Sequence, residues 1–244
     1  MYFPTSCCTL PPVESNYTPT GSNVQLEDFS VYETGDTKSY KLLICLYDIF
    51  GFHPVTKQFC DKLSSSGFRV VMPDFFRGKP FPSETYPPKD RQVLVDFVTT
   101  SGSWEKVVKG DLCKLFEHYR GQGVGQIGMF GFCWGALMCV SASCEYSSDI
   151  KAIALIHPSL VKDEDGDRVM TPVLVLPASG DADMVPFYEK VKARFGEDGS
   201  GHHRFVDVPH GFCAARGNME DELNRKRVDE ALTLTHKFFS KQLK

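Results

Sequence analysis

The sequence predicts an α/β fold in which a mostly parallel central sheet has helices on both faces. Short apolar and β-branched segments alternate with longer segments whose apolar residues recur at helical spacing. No internal repeat or low-complexity tract divides the chain. Parallel neighbours in a sheet need crossover connections, which the intervening helices supply. The 244 residues, of which 42% are hydrophobic and 24% charged, can build one buried core.

The predicted elements alternate along the chain as such a sheet requires. Residues 1–25 contain Pro11, Pro12, Pro19 and Gly21 and predict an irregular N-terminal arm, and residues 26–244 predict a single domain. Strands are expected at residues 41–47, 68–72, 126–130, 151–156, 172–176 and 204–208. Helices are expected at residues 55–66, 104–119, 136–145, 187–195 and 220–241, with a proline-rich loop before the second helix.

Charge and cysteine usage exclude several classes of protein. A net charge of −4 supplies no broad basic surface, so neither nucleic acid nor a membrane is an expected partner. Met1–Leu10 lacks the pattern of a secretory leader, and no apolar run approaches the roughly 20 residues of a membrane span, so we expect a cytoplasmic protein. The 9 cysteines have no zinc-site spacing, and no metal site or disulfide framework is expected.

A candidate nucleophile follows the strand expected at residues 126–130. Residues 131–135 read Gly-Phe-Cys-Trp-Gly and precede a helical segment, which is the strand-turn-helix setting of a nucleophile elbow. In such an elbow the glycines permit a very sharp turn, and the helix N-terminus favours a thiolate and offers N–H groups to an oxyanion. The pattern therefore indicates Cys133 as a nucleophile, with a buried cysteine beside two packing glycines as the alternative.

Two further segments contain the remaining members of a catalytic triad in the order that this kind of fold uses. Asp181 and Asp183 follow the strand expected at residues 172–176, where a carboxylate that orients an imidazole belongs. Of the 7 histidines, His210 has the position of a general base after the last predicted strand. The sequence thus predicts a Cys133, Asp and His210 triad.

Four motifs in this order resemble the dienelactone hydrolase family, a branch of the α/β-hydrolases with a Cys-His-Asp triad. They are residues 47–51 (YDIFG), 72–78 (MPDFFRG), 131–135 (GFCWG) and 210–212 (HGF). The resemblance extends over nearly the whole chain and implies an α/β-hydrolase fold. The common G-x-x-D form favours Asp183 as the triad acid, and Asp181 remains the alternative.

The resemblance also implies roles for residues around the triad. Asp48 is expected to contact the resting thiol and control its protonation. The backbone N–H groups of Ile49 and Trp134 are expected to form the oxyanion hole. Arg77 and Arg216 are candidates for binding a substrate carboxylate, although neither aligns cleanly with the family arginines and each could be an ordinary surface charge.

These residues together predict a hydrolase of small esters or lactones that forms an acyl thioester on Cys133. No cofactor is implied, and the expected partner is a small-molecule ester or lactone substrate. The protein is expected to be a monomer or a small homo-oligomer. Three alternatives stay open: transfer of the acyl group to another acceptor, a glycan-directed relative, and a non-catalytic binding or regulatory protein that retains the scaffold. A glycan hydrolase would need paired carboxylates, and no such pair stands out in the sequence.

Overall fold

An eight-stranded sheet forms the centre of the computed structural model, which describes residues 10–244. Its strands run in the order β1-β2-β4-β3-β5-β6-β7-β8. The strands β1 and β2 are antiparallel to their neighbours, and every neighbouring pair from β4 to β8 is parallel. The strands are β1 (Ser22–Leu26), β2 (Phe29–Thr34), β3 (Lys41–Leu46), β4 (Arg69–Pro73), β5 (Gln126–Cys133), β6 (Ile150–Pro158), β7 (Val173–Leu176) and β8 (Ser200–His202).

Within residues 10–244, six α-helices pack around this sheet: α1 (Pro54–Ser64), α2 (Gln92–Thr100), α3 (Lys109–Gly121), α4 (Trp134–Glu145), α5 (Val185–Phe195) and α6 (Glu222–Gln242). Successive residues of β3, β5 and β6 are buried, so both faces of the central strands are covered. This arrangement confirms the predicted α/β-hydrolase fold class. Across the described part of the chain, every helix is too short or too polar to traverse a bilayer.

The structure corrects three details of the predicted element order. Strand β1 begins at Ser22, so the last residues of the expected arm belong to the sheet, and residues 1–9 lie outside the described part. Helix α2 lies where only a loop was expected before the second helix. The strand expected at 204–208 is wrong, because the last strand is β8. Phe205 and Val208 are buried in a loop, so their apolar character reflects packing and not strand pairing.

The parallel strands bring the candidate site residues to one edge of the sheet. Asp48 follows β3, Cys133 ends β5, His157 lies at the end of β6, and Asp181 lies in the loop after β7. Because these four strands are consecutive neighbours in the sheet, their carboxyl ends are adjacent. Ligands of such sheets bind at this edge.

Candidate active site

The turn at Cys133 has the geometry that the glycine pattern predicts. Cys133 ends β5 with φ 55° and ψ −114°, and Trp134 begins α4 directly afterwards. A Cβ atom on Gly131 would lie 2.2 Å from the carbonyl oxygen of Gly135, and one on Gly135 would lie 2.1 Å from that of Leu46. Only glycine fits at either position. The tight turn holds Cys133 in a left-handed conformation that residues with a side chain rarely adopt.

The thiol of Cys133 points into a closed interior. The residue is 1% exposed, and its Sγ donates a weak hydrogen bond to Oγ of Ser159 over 3.5 Å. The backbone N–H of Ser159 also donates to the carbonyl oxygen of Cys133 at 3.1 Å. The segment after β6 is therefore attached to the nucleophile elbow by two contacts that sequence reasoning did not anticipate.

Asp181, and not the expected Asp183, contacts His210. Oδ1 of Asp181 lies 2.6 Å from Nδ1 of His210, and both side chains are fully buried. Oδ2 of Asp181 accepts the backbone N–H of Ala178 at 2.7 Å. Asp183 is exposed, and its Oδ1 accepts the N–H of Val185 at the beginning of α5. The prediction that Asp183 orients the imidazole is wrong because its carboxylate binds the helix start instead.

A backbone contact explains why Asp181 reaches the histidine. Ser179 forms a parallel bridge with Pro209, and its N–H donates to the carbonyl oxygen of Val208 at 2.9 Å. This bridge joins the loop after β7 to the loop that ends in His210. It places Asp181, two positions after Ser179, beside His210, which directly follows Pro209.

The surroundings of His210 strengthen its imidazole as a base. Burial by itself would lower the pKa of His210, but the charges of Asp181 and of a Cys133 thiolate, with their hydrogen bonds, raise it above its ordinary value. Because Nδ1 is bonded to Asp181, Nε2 is the nitrogen that remains available to Cys133, whose charge affects the pKa of His210. A proton that leaves Sγ would therefore be accepted at Nε2.

Asp48 is buried near Cys133 and is held by backbone donors. Its Oδ1 accepts the N–H of Phe50 at 2.9 Å, and its Oδ2 accepts the N–H of Ala215 at 3.3 Å. Burial raises the pKa of Asp48 to about 6, a shift that the Arg216 charge opposes and a Cys133 thiolate reinforces. The charges of Asp48 and of a Cys133 thiolate thus oppose each other, while the two oxygens of Asp48 are bonded to the backbone.

The two expected oxyanion donors lie on adjacent strand ends. Ile49 follows Asp48 after β3, and Trp134 is the first residue of α4 after β5, the neighbour of β3. The N–H of Trp134 is among the first four of its helix, which have no acceptor within the helix. The Trp134 indole donates to the carbonyl oxygen of Gly102 at 3.1 Å, which fixes its ring away from this backbone donor.

The two candidate arginines have different surroundings. Arg77 forms ion pairs with Asp111 at 2.7 Å and Asp28 at 3.0 Å, so its guanidinium joins elements of the fold. Its expected role in binding a substrate carboxylate finds no support in these contacts. Arg216 is buried near Asp48, donates to the hydroxyl of Tyr86 at 2.8 Å, and lies over the ring of Phe50.

His157 is a buried neighbour of the triad that sequence reasoning passed over. Its ring lies 4.9 Å from that of His210 and stacks on Phe132 at 5.4 Å, measured between centroids. Burial, with the charges of His210 and Arg216, lowers the pKa of His157 well below its ordinary value, so the ring is neutral. The available sequence signal was its position at the end of β6, the strand beside the nucleophile.

Comparison with known proteins relates this chain to hydrolases. A model of the dienelactone hydrolase family matches residues 29–243. An uncharacterized AIM2 family protein of Schizosaccharomyces pombe is 34% identical over 248 residues, which cover 96% of this chain and 98% of the relative. The crystal structure of a proposed dienelactone hydrolase from Klebsiella pneumoniae has a TM-score of 0.68 at 16% identity and covers 89% of this chain and 98% of that one.

More distant relatives differ in their described activities. A carboxymethylenebutenolidase homologue of Homo sapiens is 28% identical over 165 residues, covering 66% of this chain and 64% of the relative. An endo-1,3;1,4-beta-D-glucanase of Zea mays is 27% identical over 156 residues, covering 64% of this chain. The aligned part spans about half of the maize protein, 48% of its length.

Proposed function

The chain belongs to the dienelactone hydrolase family, and from this premise we propose that it hydrolyses small esters or lactones through a thioester on Cys133. The observation that carries the proposal is the buried contact between Asp181 and His210, near Cys133 at its sharp strand-to-helix turn. A nucleophile, a base in contact with it and an acid that orients the base are the parts that covalent acyl transfer requires.

In the proposed first step, the sulfur of Cys133 attacks the substrate carbonyl while His210 accepts the thiol proton. The backbone N–H groups of Ile49 and Trp134 would stabilise the negative charge on the carbonyl oxygen. His210 then gives its proton to the leaving alkoxide, and the acyl group remains on sulfur. Asp181 holds the imidazole in the tautomer that this exchange needs. In the second step, water releases the acyl group as a carboxylic acid.

We take a cleft lined in part by Phe50, two residues after Asp48, as the candidate substrate entrance. The cleft has a volume of about 460 Å³ and lies between the arm and the loop around Phe81, and none of Cys133, Asp181 and His210 lines it. Its volume is in the range of small-molecule sites. Glu14 and Glu84 line the cleft and would repel an anion. Neutral esters and lactones fit this environment better than acidic lactones do.

A panel of neutral aryl esters and lactones, each paired with an analogue that contains a carboxylate, tests the proposed function. We expect the wild type to hydrolyse the neutral compounds and the Cys133→Ala variant to lose that activity. The Cys113→Ala variant removes an exposed thiol and serves as the matched control with unchanged rates. Equal activity of the wild type and Cys133→Ala would refute the thioester route.

Similarity to the maize glucanase favours glycan hydrolysis as a second candidate. Glycosidases of the usual kind need two carboxyl groups that flank the sugar bond. Both Asp181 and Asp48 already accept backbone N–H groups, and Asp181 also binds His210. A mixed-linkage β-glucan assay separates the two candidates. Reducing-sugar release that persists in Cys133→Ala would favour the glycan reaction.

A further inference from the structure

Three unusual features coincide at His157. The residue is fully buried, and among residues 10–244 neither of its ring nitrogens has a hydrogen-bond partner. Its φ angle is +37°, a left-handed conformation that is uncommon for a residue with a side chain. Its ring packs directly against the ring of His210. Strained, buried polar residues of this kind collect at functional sites.

The environment of the His157 ring indicates which kind of group can form hydrogen bonds with its two nitrogens. A neutral imidazole has one donor and one acceptor, and both lose hydration when the ring is buried. Its aromatic neighbours Phe132 and Phe212 offer no conventional acceptor or donor. The Nδ1 atom of His210 is already bonded to Asp181. A small polar molecule that enters the site, of which water is the smallest, is therefore the suitable partner.

The backbone keeps this ring close to the reacting sulfur. Pro158, the next residue, pairs with Cys133 across the sheet. Ser159 contacts the sulfur and also donates its N–H to the carbonyl oxygen of Cys133. His157 thus belongs to a short segment, residues 157–159, that is fixed to the nucleophile on one side and to the general base on the other.

We propose that His157 binds and positions the water that hydrolyses the acyl thioester on Cys133, an inference that rests on the proposed function. Bulk water has little access to a site whose cysteine is 1% exposed, so the second step needs a water held at a defined place. The nitrogens of His157 provide an acceptor and a donor for such a water next to the base that must deprotonate it.

The step balances without any further reactant. The water oxygen forms a bond to the acyl carbon, and one water proton passes to Nε2 of His210. The carbon–sulfur bond then breaks with its electron pair on the sulfur of Cys133. The proton on His210 returns to the thiolate, and the product leaves as a carboxylic acid. His157 keeps its own proton throughout and acts only by orienting the water.

The His157→Phe variant tests this role because it retains a ring against Phe132 and His210 but removes both nitrogens. With p-nitrophenyl acetate as the probe, release of nitrophenol in the first turnover measures acylation, and the steady-state rate measures deacylation. We expect the first-turnover rate to stay within about twofold and the steady-state rate to fall roughly tenfold to hundredfold. Intact mass should show that the variant accumulates one acetyl group per chain.

Two further variants keep the test decisive. Thr235→Val on α6 removes another fully buried polar atom that has no partner in residues 10–244, and it should leave both rates unchanged. His157→Gln restores a donor and an acceptor and should recover part of the deacylation rate; it also serves if His157→Phe does not fold. Unchanged kinetics in both His157 variants, or equal slowing of both phases, would overturn the role of His157 alone. Failure of wild-type Cys133 to become acylated would instead overturn the proposed function.

Discussion

Oδ1 of Asp181 lies 2.6 Å from Nδ1 of His210, and neither side chain is exposed to solvent. A short contact between a carboxylate and an imidazole in a closed interior favours the charged form of the imidazole. The same contact fixes the tautomer in which Nε2 is available to Cys133. The relationship between these two residues therefore determines whether the thiol can be activated.

Changing Asp181 to Asn should remove nearly all activity. The amide can donate to Nδ1 and so favours the wrong tautomer of His210, an effect on the order of 10⁴ in kcat in a serine triad. Steady-state kinetics on a neutral ester measure the loss, with circular dichroism to verify the fold. The matched control is Asp183→Asn, which changes an exposed carboxylate two residues away and should keep most of the activity. The reverse ranking would restore Asp183 as the acid.

The choice between these aspartates shows what sequence reasoning could and could not reach. The turn at Cys133 depends on local glycines, and the family resemblance rested on local motifs, so both were predictable from sequence, and the fold class and the family are confirmed. The partner of His210 depends on a bridge between Ser179 and Pro209, two residues far apart in sequence. The spacing of Asp181 and Asp183 within their own loop does not show which of them contacts His210.

The other differences between the predicted and the observed site also come from contacts between residues far apart in the sequence. His157 and Ser159 were missed because their importance comes from pairing of β6 with β5, which places them at the nucleophile. Arg77 was a candidate for binding the substrate, with an ordinary surface charge as the alternative, but Asp111, more than thirty residues later, binds it. Burial and long-range ion pairs become visible only when the chain is folded.

Changing Asp48 to Asn should accelerate alkylation of Cys133 by iodoacetamide at about pH 8 and have little effect at about pH 5. The pKa of Asp48 is raised to about 6, so wild-type Asp48 is charged well above that pH and disfavours the neighbouring thiolate. At a pH well below 6, the carboxyl group of wild-type Asp48 is already neutral, like the amide of the Asp48→Asn variant, so the two proteins should react alike. Mass spectrometry of the Cys133 peptide measures the rate, which should rise several-fold at the higher pH.

The exposed Asp183 provides the control for this experiment, since Asp183→Asn removes the same charge without contact to the thiol. Its alkylation rates should match those of the wild type at both pH values. If the ratio of the Cys133 alkylation rate in Asp48→Asn to that in the wild type does not change with pH, the charge of Asp48 does not govern the thiol.

Changing Arg77 to Gln should lower the free energy of unfolding by about 1–3 kcal/mol because it leaves the buried carboxylate of Asp111 without its partner. Urea denaturation measures this loss. The Lys241→Gln variant breaks an exposed ion pair with Asp198 and should leave the midpoint unchanged. The KM of the Arg77 variant for esters should equal that of the wild type. A rise in KM confined to carboxylate-bearing esters would return Arg77 to the substrate site.

Two glycine-to-alanine changes should shift stability in opposite directions. Gly135→Ala places a Cβ atom 2.1 Å from the carbonyl oxygen of Leu46 and should cost at least about 2 kcal/mol. Gly110→Ala in α3 meets no atom within 4 Å and should stabilise the protein by about 0.5–1 kcal/mol, because alanine loses less entropy in a helix. Thermal unfolding compares them. Equal effects would mean that the elbow is less tightly packed than described.

Mapping of the acyl group on the protein identifies the nucleophile. A rapid acid quench during turnover of an activated neutral ester, followed by peptide mass spectrometry, identifies the residue that forms the covalent intermediate. A thioester mechanism predicts that the label lies on Cys133, that it disappears in Cys133→Ala, and that it persists in the Cys113→Ala control. An acyl group on any other residue during turnover, or catalysis by Cys133→Ala at the wild-type rate, would rule out Cys133 as the nucleophile.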